Sequence, residues 1–163
     1  MSSSVLASID SSGTVPVRRA SAGDVGALSS TLSAAFFDDP VFVYCYPDVA
    51  RRHRILQPWF EAVVTANLVH EQIYTTDDVI AGAVWLPPGA PEDEHLGERL
   101  AELSGEDADR LAGVFALMDA VHPHQPHHYL FLLATRAEWQ SRGIGSTLLQ
   151  PVLEMRDRAA MPA

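Results

Sequence analysis

The chain has 163 residues, 47% of them apolar and 20% charged, with 11 basic and 21 acidic side chains, a formal net charge of -10 and one cysteine. That length suits one domain with one core. Every basic residue apart from histidine is arginine, which excludes Schiff-base, pyridoxal-phosphate and P-loop or kinase-type chemistry, because each needs an ε-amine at a fixed place. The acidic balance and the scattered arginines exclude general nucleic-acid binding.

Residues 1–13 are Ser- and Gly-rich with little to bury, and read as a disordered lead-in to a single domain over 14–163. They show no basic and apolar signal pattern, and no apolar run approaches the ~20 residues of a membrane helix. A cytoplasmic protein without a membrane partner is expected. Val15 to Arg19 alternates as a short strand does, and Ser21 to Asp24 offers a capping box to a helix with Val25, Leu28, Leu32, Ala35 and Phe36 on one face. Asp38-Asp39-Pro40 stops that helix. The aromatic segment Val41 to Tyr46 holds Cys45, read as buried filler rather than as a nucleophile, since no basic residue lies near it in sequence. From Asp48, a fitting N-cap, a second helical pattern carries Ile55, Leu56, Trp59, Phe60, Val63, Val64 and Leu68, and Pro58 is expected to kink or split it.

Gln72 to Thr76 and Val79 to Leu86, joined by Asp77-Asp78, form an antiparallel hairpin that ends at Pro87-Pro88-Gly89. Glu92 to Val121 reads as one or two acidic helices with Leu96, Leu100, Leu103, Leu111, Val114, Phe115 and Met118 inward, its acids forming a solvated face. His122 to His128 is a loop, because its two prolines forbid a regular helix. Its histidines have no cysteine and no evident long-range partner to complete a zinc site, so no metal is expected. Tyr129 to Thr135 is a continuous apolar run of the kind shown by a strand buried on both faces. A polar loop, Arg136 to Gly145, and a helix over Ile144 to Arg158 follow.

This strand, loop and helix carry the chemistry. In Gln140-Ser141-Arg142-Gly143-Ile144-Gly145, glycines meet a helix start, where unpaired N–H groups and the positive end of the dipole favour an anion. A dinucleotide fingerprint would need glycine at Leu148, and a P-loop would need lysine, so both other glycine-loop readings fail.

The hexapeptide has the form Q/R-x-x-G-x-G/A, and with its context the sequence resembles the GCN5-related N-acetyltransferase (GNAT) family. The resemblance implies an α/β fold, an α+β arrangement around a mixed sheet, with acetyl-coenzyme A as co-substrate and no metal. It places the cofactor against Leu133, Ala134 and Thr135 of the family's fourth strand and against Gln140, Ser141, Arg142, Gly143, Ile144, Gly145 and Ser146 of the loop and first helical turn. A closer resemblance, to the puromycin N-acetyltransferase-like branch, runs through Phe36-Phe37-Asp38-Asp39-Pro40-Val41 and Ala83-Val84-Trp85-Leu86-Pro87-Pro88-Gly89. Asp38 and Asp39 then read either as a helix stop or as an attractor for a cationic amine.

The implied reaction moves an acetyl group to a primary amine of a small molecule or peptide. The rival reading is a catalytically silent acyl-coenzyme A binding or regulatory domain, or an inactive fragment. Candidate bases are His127, His128 and Glu138, none of them fixed by a family motif, and each with a structural alternative. The family's usual acid is a tyrosine on the helix after the fifth strand, and the resemblance covers about three quarters of the family domain, without its C-terminal strands. Tyr129 to Thr135 is therefore expected to form a sheet edge, and the chain to be a homodimer through that edge or poorly soluble.

Overall fold

The computed structural model describes residues 15–91 and 93–159. The lead-in expected over 1–13 lies outside them. Four strands, β1 (Val17–Arg19), β2 (Ile73–Thr76), β3 (Ala81–Leu86) and β4 (Tyr129–Thr135), form one sheet in that order, with every pairing antiparallel. Among the described residues six α-helices accompany it, besides short 3-10 turns: α1 (Val25–Ala35), α2 (Pro40–Cys45), α3 (Val49–Asn67), α4 (Glu94–Ser104), α5 (Ala108–Val121) and α6 (Ile144–Ala159).

Local chemistry explains most helix starts. The Asp24 carboxylate accepts the Ser21 N–H at 2.8 Å and closes a capping box ahead of α1. Burial of Asp24 is offset by a bidentate pair with Arg18, at 2.8 Å from each nitrogen, which holds the carboxyl well below its usual pKa. Asp39 caps α2 by accepting from Val41 N–H at 2.9 Å, with Pro40 at the first helical position. Asp48 and Asp93 cap α3 and α4 in the same way.

Alternation along the strands sorts the core into two layers. Ile73, Val84, Leu132 and Ala134 face α1 and α3, whereas Tyr74, Ala81, Ala83 and Trp85 face Ile144, Leu148 and Val152 of α6. Gly82 lets α1 approach the sheet, since a Cβ there would lie 2.4 Å from Leu28 Cδ1. On the first layer, Phe36, Phe42, Trp59 and Phe60 form an aromatic cluster with ring centroids 5.1–5.6 Å apart.

The structure corrects three expectations. Of the two outcomes expected at Pro58, the split is the one overturned: α3 runs through it, because Ile55 and Leu56 before it and Trp59 and Phe60 after it are buried in one core and hold the helix together. Only Leu132 and Ala134 of β4 are fully buried, because β4 pairs with β3 on one side alone among the described residues. Met118 is 38% exposed, having turned with Leu117 and Val121 to the outer end of α5. Cys45 is buried as expected, and desolvation pushes its thiol pKa up, away from nucleophilic use.

Candidate active site

The site is built on the open edge of β4 and the start of α6. Arg136 N–H donates to Ile80 O at 2.9 Å, so by alternation Ala134 and Leu132 bond toward β3. The peptide groups of Leu133 and Thr135 consequently point to the free edge. Gln140 Nε2 takes up the Thr135 carbonyl at 3.1 Å. The β3–β4 register slips at Val84/Trp85, leaving Phe131 as the extra residue on β4. Such a bulge bends the strand locally and re-aims its side chains.

After β4 the chain turns through Ala137–Trp139, with Trp139 N–H donating to Arg136 O at 2.8 Å. It then enters α6 through two left-handed residues, Ser141 at φ 61 and Gly143 at φ 79, which flank Arg142. Left-handed residues alternating with a residue of negative φ turn successive N–H groups into one concavity. Thr147 is the first residue of α6 whose N–H reaches back to the loop, at 3.0 Å from Gly143 O, so the amides of Ile144, Gly145 and Ser146 stand ahead of the helical ladder. A Cβ on Gly145 would meet Leu133 Cδ2 at 3.9 Å, an ordinary contact, and Gly145 has no positive φ. The two glycines therefore differ: Gly143 answers a backbone need, while Gly145 sits close to the strand without strain.

Arg142 stacks on Trp139, its guanidinium 4.7 Å from the ring centroid, and donates to Glu138 O at 3.2 Å. These contacts hold an exposed cation at the rim of the amide concavity. A diphosphate fits this donor set, a helix start with two left-handed turns and an arginine, and the Leu133 and Thr135 edge fits an extended amide-bearing arm.

The other expected site residues are dispersed. Glu138 is exposed on the turn before the loop. His127 Nδ1 lies 2.7 Å from Gln125 O in the loop ahead of β4. His128 is buried, with Nδ1 3.3 Å from Gln72 Oε1. Asp39 is occupied as the cap of α2, and Asp38 stands 4.0 Å from Arg52 with its side chain 89% exposed. Among the described residues no group of three or more His, Cys, Asp or Glu side chains could hold a metal.

Burial, reinforced by His127, pushes the His128 pKa down. The unfolded chain then binds more protons than the folded one, so stability falls as pH drops below the unfolded value of about 6.5 and keeps falling until the folded pKa is reached. Urea unfolding of wild type should lose up to about 1.4 kcal/mol per pH unit in that window. His128→Gln should flatten the loss, and equal slopes for both proteins would contradict this.

A model described as the acetyltransferase (GNAT) family matches residues 68–160. An uncharacterized N-acetyltransferase of Schizosaccharomyces pombe is 25% identical over 161 residues, covering 89% of this chain. The chain spans less than two thirds of that relative, 65% of its length. Among solved structures, a histone acetyltransferase HPA2 and related acetyltransferase from Corynebacterium glutamicum is 20% identical with a TM-score of 0.54, over 88% of this chain and 72% of that one. A mosquito arylalkylamine N-acetyltransferase-like protein is 13% identical with a TM-score of 0.52, over 91% and 73%. At these identities the solved structures speak for the fold. No helix among the described residues is long and apolar enough to cross a membrane.

Proposed function

The chain belongs to the acetyltransferase (GNAT) family, and from that premise we propose that it is an N-acetyltransferase using acetyl-coenzyme A to acetylate a primary amine. The observation that carries this is the amide concavity of Ser141 to Ser146 at the end of a strand edge left unpaired among the described residues. The amides of Ile144, Gly145 and Ser146 hold the diphosphate, Arg142 adds a charge at its rim, and the Leu133 peptide groups with the Thr135 N–H orient the arm along β4. Acetyl-coenzyme A supplies an activated thioester acyl group. In this reading an N–H of the β4 edge donates to the carbonyl oxygen, where charge develops. The puromycin-type branch is the finer reading we infer from Phe36 to Val41 and Ala83 to Gly89.

Titration calorimetry with acetyl-coenzyme A, followed by thiol release in the presence of amines, tests the reading. Saturable binding with amine-dependent thiol release supports it, binding without release leaves a silent acyl-coenzyme A domain, and no binding overturns it. Arg142→Gln should weaken binding about threefold to tenfold and flatten its salt dependence, because one screened charge pair is lost. An unchanged salt slope would mean that Arg142 serves Trp139 and Glu138 alone.

A further inference from the structure

A cleft of about 870 Å3 opens where the end of α3, α4, α5 and the start of β4 meet. It is lined by the apolar Leu100, Phe115 and Phe131, with Asp93, Glu94, Asp119, His70, His95 and His122 as its titratable groups and no arginine. His122 ties the cleft to the strand: its ring meets Tyr129 edge-on at 4.7 Å, and its backbone N–H donates to Asp119 O at 3.1 Å. From Thr135 to Tyr129, β4 runs about 20 Å at its usual rise per residue, comparable to the reach of an extended phosphopantetheine arm. A thioester on an arm anchored at the start of α6 and laid along β4 would end beside Tyr129 and Phe131, which line this cleft.

We propose that the cleft is the acceptor site, that it takes a primary amine carried on an apolar aromatic body, and that His122 accepts the amine's proton. The proposal rests on the function proposed above. The Glu94 and Asp119 carboxylates draw in the ammonium form, and no arginine in the lining opposes it. Phe115 and Phe131 offer an aromatic body rings to pack on. A polyamine offers Phe115 and Phe131 only methylenes, without the ring-on-ring contact that an aromatic body makes. In the transfer, the ammonium first gives a proton to the His122 imidazole and becomes a nucleophile. Its nitrogen pair then forms the bond to the acyl carbon, the carbon–sulfur bond breaks with its pair on sulfur, and the second amine proton ends on that sulfur. The products are the amide and the thiol, with one proton left on His122 for release to water.

The test is direct binding of 2-phenylethylamine to the full chain by calorimetry, with spermidine and a lysine peptide in parallel, followed by thiol release with the same three amines. We expect 2-phenylethylamine to bind at least tenfold more tightly than the other two, and Asp119→Asn to weaken that binding at least threefold. His122→Gln should lower kcat at least tenfold while leaving amine binding within twofold, a split that a merely structural histidine would not give. Absent amine binding, preference for spermidine or the peptide, or variants that behave as wild type would overturn the proposal. Acetyl-coenzyme A binding, measured separately, distinguishes the two readings: its loss sinks the function above, whereas its presence with the wrong amine sinks only this assignment.

Discussion

Gly143→Val is expected to lower acetyl-coenzyme A affinity by about a hundredfold or more. Gly143 holds φ 79, a region that a β-branched residue avoids, so valine forces the entry to α6 into another path. The amides of Ile144, Gly145 and Ser146 then lose their common aim. A charge-assisted hydrogen bond is worth about 1.5–3 kcal/mol, so the loss of two amounts to roughly two to four decades. Gly145→Ala is the informative partner, because its Cβ has ordinary room beside Leu133 and the free protein should keep its stability. The check is calorimetric titration of both variants alongside thermal unfolding. Wild-type affinity in Gly143→Val would remove the amide concavity from the account.

Phe60→Ala is expected to destabilise the fold by about 3–5 kcal/mol, the usual cost of removing a large buried aromatic side chain. Phe60 is fully buried on α3, with rings of Phe36, Phe42 and Trp59 within 5.5 Å of its own. No neighbour is placed to refill the space, since Trp59 and Leu56 are themselves packed into the same cluster. Against a total stability of about 5–15 kcal/mol, such a loss is a large share. Chemical denaturation would measure it, and a cost under about 1 kcal/mol would mean that the cluster is looser than its ring geometry implies.

Local signals carried far in this chain. The Ser21 to Asp24 capping box, the Asp77-Asp78 turn and the glycine loop before α6 each rest on a few neighbouring residues, and each stands where the sequence puts it. Asp38-Asp39-Pro40 was legible as a stop, but the helix that Asp39 goes on to cap was not, because a six-residue helix shows too little periodicity. Pro58 misleads for the opposite reason, since its local penalty is outweighed by buried residues on both sides. The run Tyr129 to Thr135 looks fully buried because every residue before Thr135 is apolar, yet burial depends on strand neighbours that composition does not reveal. The acceptor cleft was out of reach altogether. Its residues come from α3, α4, α5, β3, β4 and the segments between them, and only the fold brings His122 and Asp119 beside Phe131. One clue was available: the histidine loop leads directly into the strand whose far end holds the glycine loop.

The central claim, that the start of α6 and the edge of β4 together hold coenzyme A, is tested most directly by amide NMR of the isotope-labelled chain titrated with coenzyme A. The account predicts saturable shifts concentrated at the amides of Ser141 to Ser146, with a second set at Leu133 and Thr135 on the open strand edge. Saturable binding whose shifts fall elsewhere, or no shifts at millimolar ligand, would contradict it.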